Sequence, residues 1–328
     1  MINCLFLSCH AALEYYMFQL FEKLNISIPL YDVDIYNDER PKIWCNNVDI
    51  KNFTSHRHWN YLWKQEELES IDFIYIMNLP NVYDLARYYS QFHKPVIVHL
   101  FGQYNSWFVK MMIDTLIECP EVHIVCYSIT EFRIYHVFTA HEPQVRDKIF
   151  YIPFGLDINE FSNWEGGIKQ VYTTSNDYPT RFCCHYEIYK QVVDNIPHTL
   201  SGRGTSSVGG LGLLLFDELR QNYRQFRCYF TTGTEPAPYT LTPLEAIMTG
   251  CPTAIWDNKC GLVNEEILPI GLGVKSENIN IIREYFQKVL SDDVYAQEQS
   301  EAIREHAIQT FNIDVLLPKW KEVIDSIF

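Results

Sequence analysis

Residues 2–9, INCLFLSC, are largely apolar and too few for a helix. The stretch that follows, AALEYYMFQLFEKL, carries its apolar residues at helical spacing and ends near Asn25. The first pattern predicts a strand and the second an amphipathic helix. The alternation continues through IDFIYIMN, DLARYYSQF, KPVIVHLFG, WFVKMMIDTLIE and VHIVCYS. Several of these strands are apolar at nearly every position, as a parallel sheet requires when helices cover both of its faces. The rhythm pauses over KIFYIPFGLDINEF (148–161) and then restarts. QVYTTS, HTLSGRG, CYFTTG and PTAIW read as strands; CHYEIYKQVVDNI, DELRQNYRQF and TPLEAIMTG read as helices. The pattern predicts an α/β protein of two Rossmann-like, doubly wound domains, residues 1–152 and 153–311. Proline and glycine in IPFGLD mark the boundary. No repeat at a fixed period and no low-complexity segment interrupts this organisation.

Composition narrows the class. The 328 residues are 47% hydrophobic and 20% charged, as in a globular protein with a sizeable core. No apolar stretch reaches the roughly 18–20 residues that span a bilayer. The opening lacks a basic leader, so a cytoplasmic protein without stable membrane insertion is expected. The ten cysteines are scattered and form no C-x-x-C pair. Reduced thiols fit this better than disulfides or zinc, with Cys4, Cys126 and Cys228 acting as small hydrophobes in strands. A net charge of −15 argues against a general nucleic-acid binder, which needs a basic face. A local basic pocket remains open. Neither half carries a G-x-G-x-x-G turn, which lowers the standing of a dehydrogenase.

One stretch concentrates chemistry: TEPAPYTLTPLEAIMTGCPTAIW, residues 234–256. Thr242-Pro243-Leu244-Glu245 reads as a capping box, with Thr242 at the N-cap, Pro243 at N1 and Glu245 at N3. A capping glutamate needs no ligand. The same helix start, set in a loop after an apolar strand, offers free backbone N–H groups to an anion such as phosphate.

The segment resembles the donor site of family 4 glycosyltransferases (glycosyl transferases group 1), a retaining group with the GT-B fold. TPLEAIMTGCPTAIW is similar to the family's "LEAMA-G-PV"; KIFYIPFGLDINEF to its "IPNGVD-F" linker; HTLSGRG to its strand ending in "G-G". REHAIQTFNIDVLLPKW resembles the "A-x-x-F…W" helix pair that crosses back to the first domain, here residues 312–328. The resemblance spans the C-terminal half; the N-terminal half shares only the strand rhythm. It implies two domains facing a central cleft and a nucleotide-sugar donor, such as a UDP- or GDP-sugar, held mainly by the second domain with no other cofactor. Glu245 takes the place of the glutamate that binds the ribose hydroxyls. Tyr239, Thr240, Leu241 and Thr242 fall where backbone faces the diphosphate. The family's first glutamate contacts the donor sugar, and here the spacing departs. Nine residues separate Glu235 from Glu245 where the family has seven, and Ala237 stands at the family position. Either a two-residue insertion leaves Glu235 in that role or the role is lost.

The resemblance also implies an arginine and a lysine from the loop after the second domain's first strand. Arg181 is the first candidate and Arg203 the second, each set against an exposed arginine with no ligand; Lys190 lies too far along the next helix. In KPVIVHLFGQY, the register that keeps Gly102 puts Phe101 where the family has the histidine of "T-x-H-G", with His99 two residues earlier. His99 is a candidate beside the sugar or a core histidine inside the sheet. His10, at the end of the first strand, is a candidate substrate contact. In HRHWNYLWKQEELE (56–69), His56 and His58 are weak grounds for a metal. Trp59, Tyr61 and Trp63 could stack on sugar, or be the aromatic face of a helix packed on the sheet.

A helix N-terminus with an arginine can stabilise a leaving diphosphate without a metal. No D-x-D stands at the end of a first-domain strand; DVDIYNDE sits in an early loop. The reaction this implies is sugar transfer to an unidentified acceptor, metal-independent, with retention taken from the resemblance. Two other readings stay open: a non-catalytic nucleotide- or glycan-binding module on a degenerate transferase scaffold, and a DNA-base glycosyltransferase.

Overall fold

The structure is a computed structural model; it describes residues 2–8, 10–33, 56–58, 62–77, 81–100, 106–235, 240–257 and 264–328. The chain divides into two compact units, Met1–Gly155 with Ile313–Phe328, and Leu156–Asn312.

The first unit is built on seven strands: β1 (Ile2–Ser8), β2 (Ile26–Val33), β3 (His56–His58), β4 (Phe73–Met77), β5 (Val96–Leu100), β6 (Val122–Cys126) and β7 (Ile149–Tyr151). They lie in the order β3-β2-β1-β4-β5-β6-β7, and the described pairings are all parallel. Strand order reverses between β1 and β4, the switch point of a doubly wound sheet. Alternate residues face opposite sides. Leu5, Ile74, Val96 and Ile124 pack in one cluster with residues of α2 (Val82–Ser90), α3 (Ser106–Glu118) and α4 (Ile129–Phe138). On the other face, Phe6 meets Phe18 and Phe21 of α1 (Ala11–Lys23), with ring centroids 5.0 and 5.7 Å apart. The segment HRHWNYLWKQEELE departs from the expected helix. Residues 56–58 form edge strand β3, and Gln65–Leu68 make one 3₁₀ turn. Trp63 is buried in the core; Trp59 and Tyr61 lie outside the described residues.

After the short helix α5 (Pro143–Arg146) and strand β7, the second unit carries β8 (Ile168–Thr174), α6 (Tyr186–Val193), β9 (His198–Ser201), α7 (Phe216–Gln225) and β10 (Phe226–Thr231). There follow α8 (Leu241–Thr249), β11 (Thr253–Trp256), α9 (Asn264–Ile267), β12 (Val274–Ser276), α10 (Ile279–Ser291) and α11 (Asp293–Phe311). The sheet order is β12-β11-β10-β8-β9, again parallel, with its switch point between β8 and β10. Every residue of β10 is buried, which is why CYFTTG reads as uniformly apolar or small. Cys4, Cys126 and Cys228 are buried in strands and their thiols are pushed up by burial, as small hydrophobes should be. Among the described residues no helix is long and apolar enough to cross a membrane.

The last helix, α12 (Ile313–Ile327), belongs to the first unit. Its Trp320 is buried, with its ring centroid 5.4 Å from that of His99, and Lys23 of α1 pairs with its Asp314 at 2.7 Å. His99 is 1% exposed, and its Nδ1 lies 2.5 Å from the Tyr75 hydroxyl. Burial lowers its pKa from 6.5 to about 3. An unfolded histidine takes a proton near 6.5, whereas folded His99 refuses it until about 3. Its contribution to stability is therefore complete above pH 6.5 and is lost as pH falls from 6.5 towards 3, at about 1.4 kcal/mol per pH unit for one site. Urea unfolding between pH 7.5 and 4.5 should show that acid loss, with a slope shallower by about one proton in His99→Gln. Equal slopes in the two proteins would refute this account.

Candidate functional site

At the switch point of the second sheet the segments leaving β8 and β10 come together. The first, residues 175–185, turns twice. Gly202, at the end of β9, has φ +120, and a Cβ there would lie 2.1 Å from Ser175 O. Only glycine lets the two backbones approach this closely. The second segment, residues 232–235, is tied to the first at several points. The Tyr178 hydroxyl is 2.5 Å from Thr232 Oγ1, Thr232 Oγ1 donates to Cys184 O, and Glu235 N donates to Cys183 O at 2.9 Å. Tyr178, Thr232 and Cys184 are buried, so the two bonds among them are shielded from competing water.

Arg181 and Glu235 lie on these two joined segments. Arg181 is exposed and begins the 3₁₀ turn Phe182–Cys184. Phe182, 93% exposed, projects from the same turn. Arg203 joins through an acidic intermediary: its Nη2 is 2.6 Å from Asp177 Oδ2, and Arg181 N donates to Asp177 O at 2.8 Å. The Arg203 guanidinium bonded to Asp177 holds that carboxyl below its ordinary range, with a smaller contribution from Arg181.

The start of α8 differs from the expected capping box. The helix begins at Leu241, with Thr240 as N-cap and no side-chain cap bond. Thr242 is spent elsewhere: the Tyr229 hydroxyl donates to its Oγ1 at 2.8 Å. Pro243 still falls within the first turn, where its missing N–H leaves no bond unmade. Glu245 therefore sits two residues further in than a capping glutamate. It is 3% exposed and accepts from the Tyr223 hydroxyl at 3.3 Å. Burial pushes the neighbouring Tyr172 phenol up to about 12, with Glu245 among the smaller causes. A carboxylate held inside a helix start has a role other than capping. Tyr239 lies outside the described residues.

Two candidates lie in the first unit. His10 is the N-cap of α1 at the carboxyl end of β1, its Nδ1 accepting from Leu13 N at 3.3 Å. His99 is buried in β5, its ring beside those of Tyr75, Phe154 and Trp320. Gly102 and Phe101 lie outside the described residues.

Sequence reasoning missed His185. It precedes α6 in the left-handed conformation, φ 56 and ψ 47, and its Nε2 lies 3.5 Å from Glu235 Oε2. The only sequence signal was a histidine beside Cys183-Cys184 in the loop already searched for cations. Tyr223 was equally silent, one aromatic among many in a chain that is 15% aromatic.

No protein-family model and no curated protein sequence matches the chain. Solved structures match along its whole length. Anabaena HepE, solved in complex with UDP and glucose, superposes with a TM-score of 0.74 at 13% identity, covering 99% of this chain and 100% of its own. Sucrose-phosphate synthase from Thermosynechococcus elongatus gives 0.70 at 12% identity, covering 100% and 99%. A glycosyltransferase from Rickettsia africae gives 0.71 at 13% identity, covering 99% and 98%. At such identities the likeness is one of fold, and the fold is GT-B, two Rossmann-like units.

Replacing Gly202 tests the close approach on which the site's geometry rests. Gly202→Ala should cost roughly 1–3 kcal/mol, read as a lowered urea midpoint. An unchanged midpoint would mean that residues 175–177 do not need this contact.

Proposed function

We propose that this protein is a glycosyltransferase that moves a sugar from a nucleotide-sugar donor to an acceptor still to be identified, with retention and without a metal. The observation that carries the reading is Glu245. It is a nearly buried carboxylate, bonded to Tyr223, in a helix that begins at the carboxyl side of the switch point of a parallel sheet. Ligands in open α/β sheets bind at that place, and a carboxylate there is suited to ribose hydroxyls, which donate hydrogen bonds. The fold likeness adds support, since HepE has been solved with UDP-glucose.

In this reading the second unit binds the nucleotide sugar and the first serves the acceptor. The backbone N–H groups of Leu241 and Thr242, at the positive end of α8, face the diphosphate, with Tyr239 and Thr240 preceding them in the sequence. Arg181 adds a mobile cation, and Arg203, through Asp177, fixes the segment that carries it. Glu235 contacts the transferred sugar. As the bond between the anomeric carbon and the diphosphate breaks, charge accumulates on the leaving oxygens, where the helix end and Arg181 stabilise it. The leaving phosphate takes the acceptor's proton as the acceptor oxygen bonds to the same face of the sugar. His10 lies at the carboxyl end of the first unit's switch strand, in place for an acceptor contact. His99 is assigned a structural role. The scattered thiols fit a cytoplasmic setting.

Calorimetric titration with UDP, GDP and their common sugar conjugates, without added metal, tests this directly. One nucleotide should bind, more tightly with its sugar attached. Glu245→Ala should lose at least tenfold in affinity, and Arg181→Ala a smaller factor that shrinks with added salt. A folded protein that ignores every nucleotide would sink the transferase; binding without turnover on any acceptor would favour a binding module.

A further inference from the structure

We propose that His185 is a positioning residue for Glu235, holding that carboxylate towards the donor's sugar through its ring Nε2. The inference rests on the donor-site reading above and supplies what the irregular spacing of the two glutamates left open.

Three observations converge on His185. Its backbone is left-handed, φ 56, a conformation that non-glycine residues adopt rarely and at a cost. The bonds around it maintain that conformation: Cys184 O accepts from Thr232, and His185 O takes Ile188 N and Tyr189 N at the start of α6. Next, its Nε2 is buried yet makes no hydrogen bond, while Glu235 Oε2 stands 3.5 Å away. A buried ring nitrogen left in this state is costly unless a charge or a ligand answers it. Finally, the ring lies against Trp256 of β11, with centroids 5.0 Å apart at 58°, so the imidazole is braced from the side.

Glu235 is the less constrained partner. Its backbone N–H is tied to Cys183 O, but its side chain is 53% exposed against 22% for His185. A braced histidine beside an exposed carboxylate orients the carboxylate, since the mobile partner yields. Among the described residues, the groups that face the imidazole are the Glu235 carboxylate from the segment after β10 and the uncharged Trp256 ring from β11. Along its own chain stand Arg181, Cys183 and Cys184 before it, and Tyr186 and Glu187 after it.

Two measurements test the proposal. In the ligand-free protein, the NMR signal of the His185 Nε2 position should move in Glu235→Gln relative to the wild type. An unmoved signal would overturn the pairing. In titrations with UDP-glucose and UDP, His185→Asn, whose side chain tolerates the left-handed backbone, should lower the preference for UDP-glucose over UDP about tenfold and leave UDP affinity unchanged. Glu235→Gln should do the same, and the double variant should lose no more than either single one. Additive losses, or equal losses for UDP and UDP-glucose, would overturn the positioning role. A wild type that binds neither probe, with the NMR difference intact, would overturn the donor-directed role through the failure of the donor-site reading itself.

Discussion

The hydroxyl of Tyr178, 2.5 Å from Thr232 Oγ1, fixes the distance between two segments that leave neighbouring strands in opposite senses of the winding. A parallel sheet leaves its carboxyl ends uncovered at the switch point, because the crossovers on either side depart to opposite faces. Whatever stands there must be held by the loops themselves. Tyr178, Thr232 and Cys184 do this with side-chain and backbone bonds that water does not reach. Arg181, His185 and Glu235, all mounted on these segments, inherit their positions from that lacing.

The same constraint explains why the two glutamates differ so much. Glu245 is carried by α8, whose place against β10 is set by a helix packed on a sheet, and it is correspondingly buried and bonded by Tyr223. Glu235 hangs from a segment with only backbone and hydroxyl ties and is half exposed. In the proposed donor-site reading, the more rigid carboxylate would meet the invariant part of the ligand and the looser one the variable part, on a loop where substitutions cost the fold least.

Much of the architecture was legible in the sequence because period carries it. Uniformly apolar runs such as FIYIM and VIVHL can only be strands covered on both faces, and the helices between them force parallel crossovers. The local errors have one cause. TPLE satisfies every local rule for a capping box, yet Tyr229, thirteen residues earlier in the chain, claims the Thr242 hydroxyl, and the helix starts sooner. HRHWNYLWKQEELE has helical spacing, but its first residues are taken as an edge strand by β2. His99 stayed open between a sugar contact and the core in the sequence, because the rings packed on it include Trp320 from the far end of the chain. Local pattern loses wherever a distant side chain supplies the partner. His185 was invisible for the same reason, since nothing in FCCHYE announces a left-handed backbone or a carboxylate fifty residues on.

Charge gives the last step. A chain carrying −15 overall repels a diphosphate at long range, so recognition has to come from a short-range field. The end of α8 contributes roughly half a positive charge, Arg181 contributes one, and Arg203 is largely cancelled by Asp177. Against these stand two carboxylates. In the proposed reading the buried Glu245 meets hydroxyls, which use its charge, whereas Glu235 would offset most of what Arg181 supplies. His185 Nε2, 3.5 Å from Glu235 Oε2, is the group that answers that carboxylate, so that the proposed site offers an acceptor to a sugar and keeps a positive field for a phosphate.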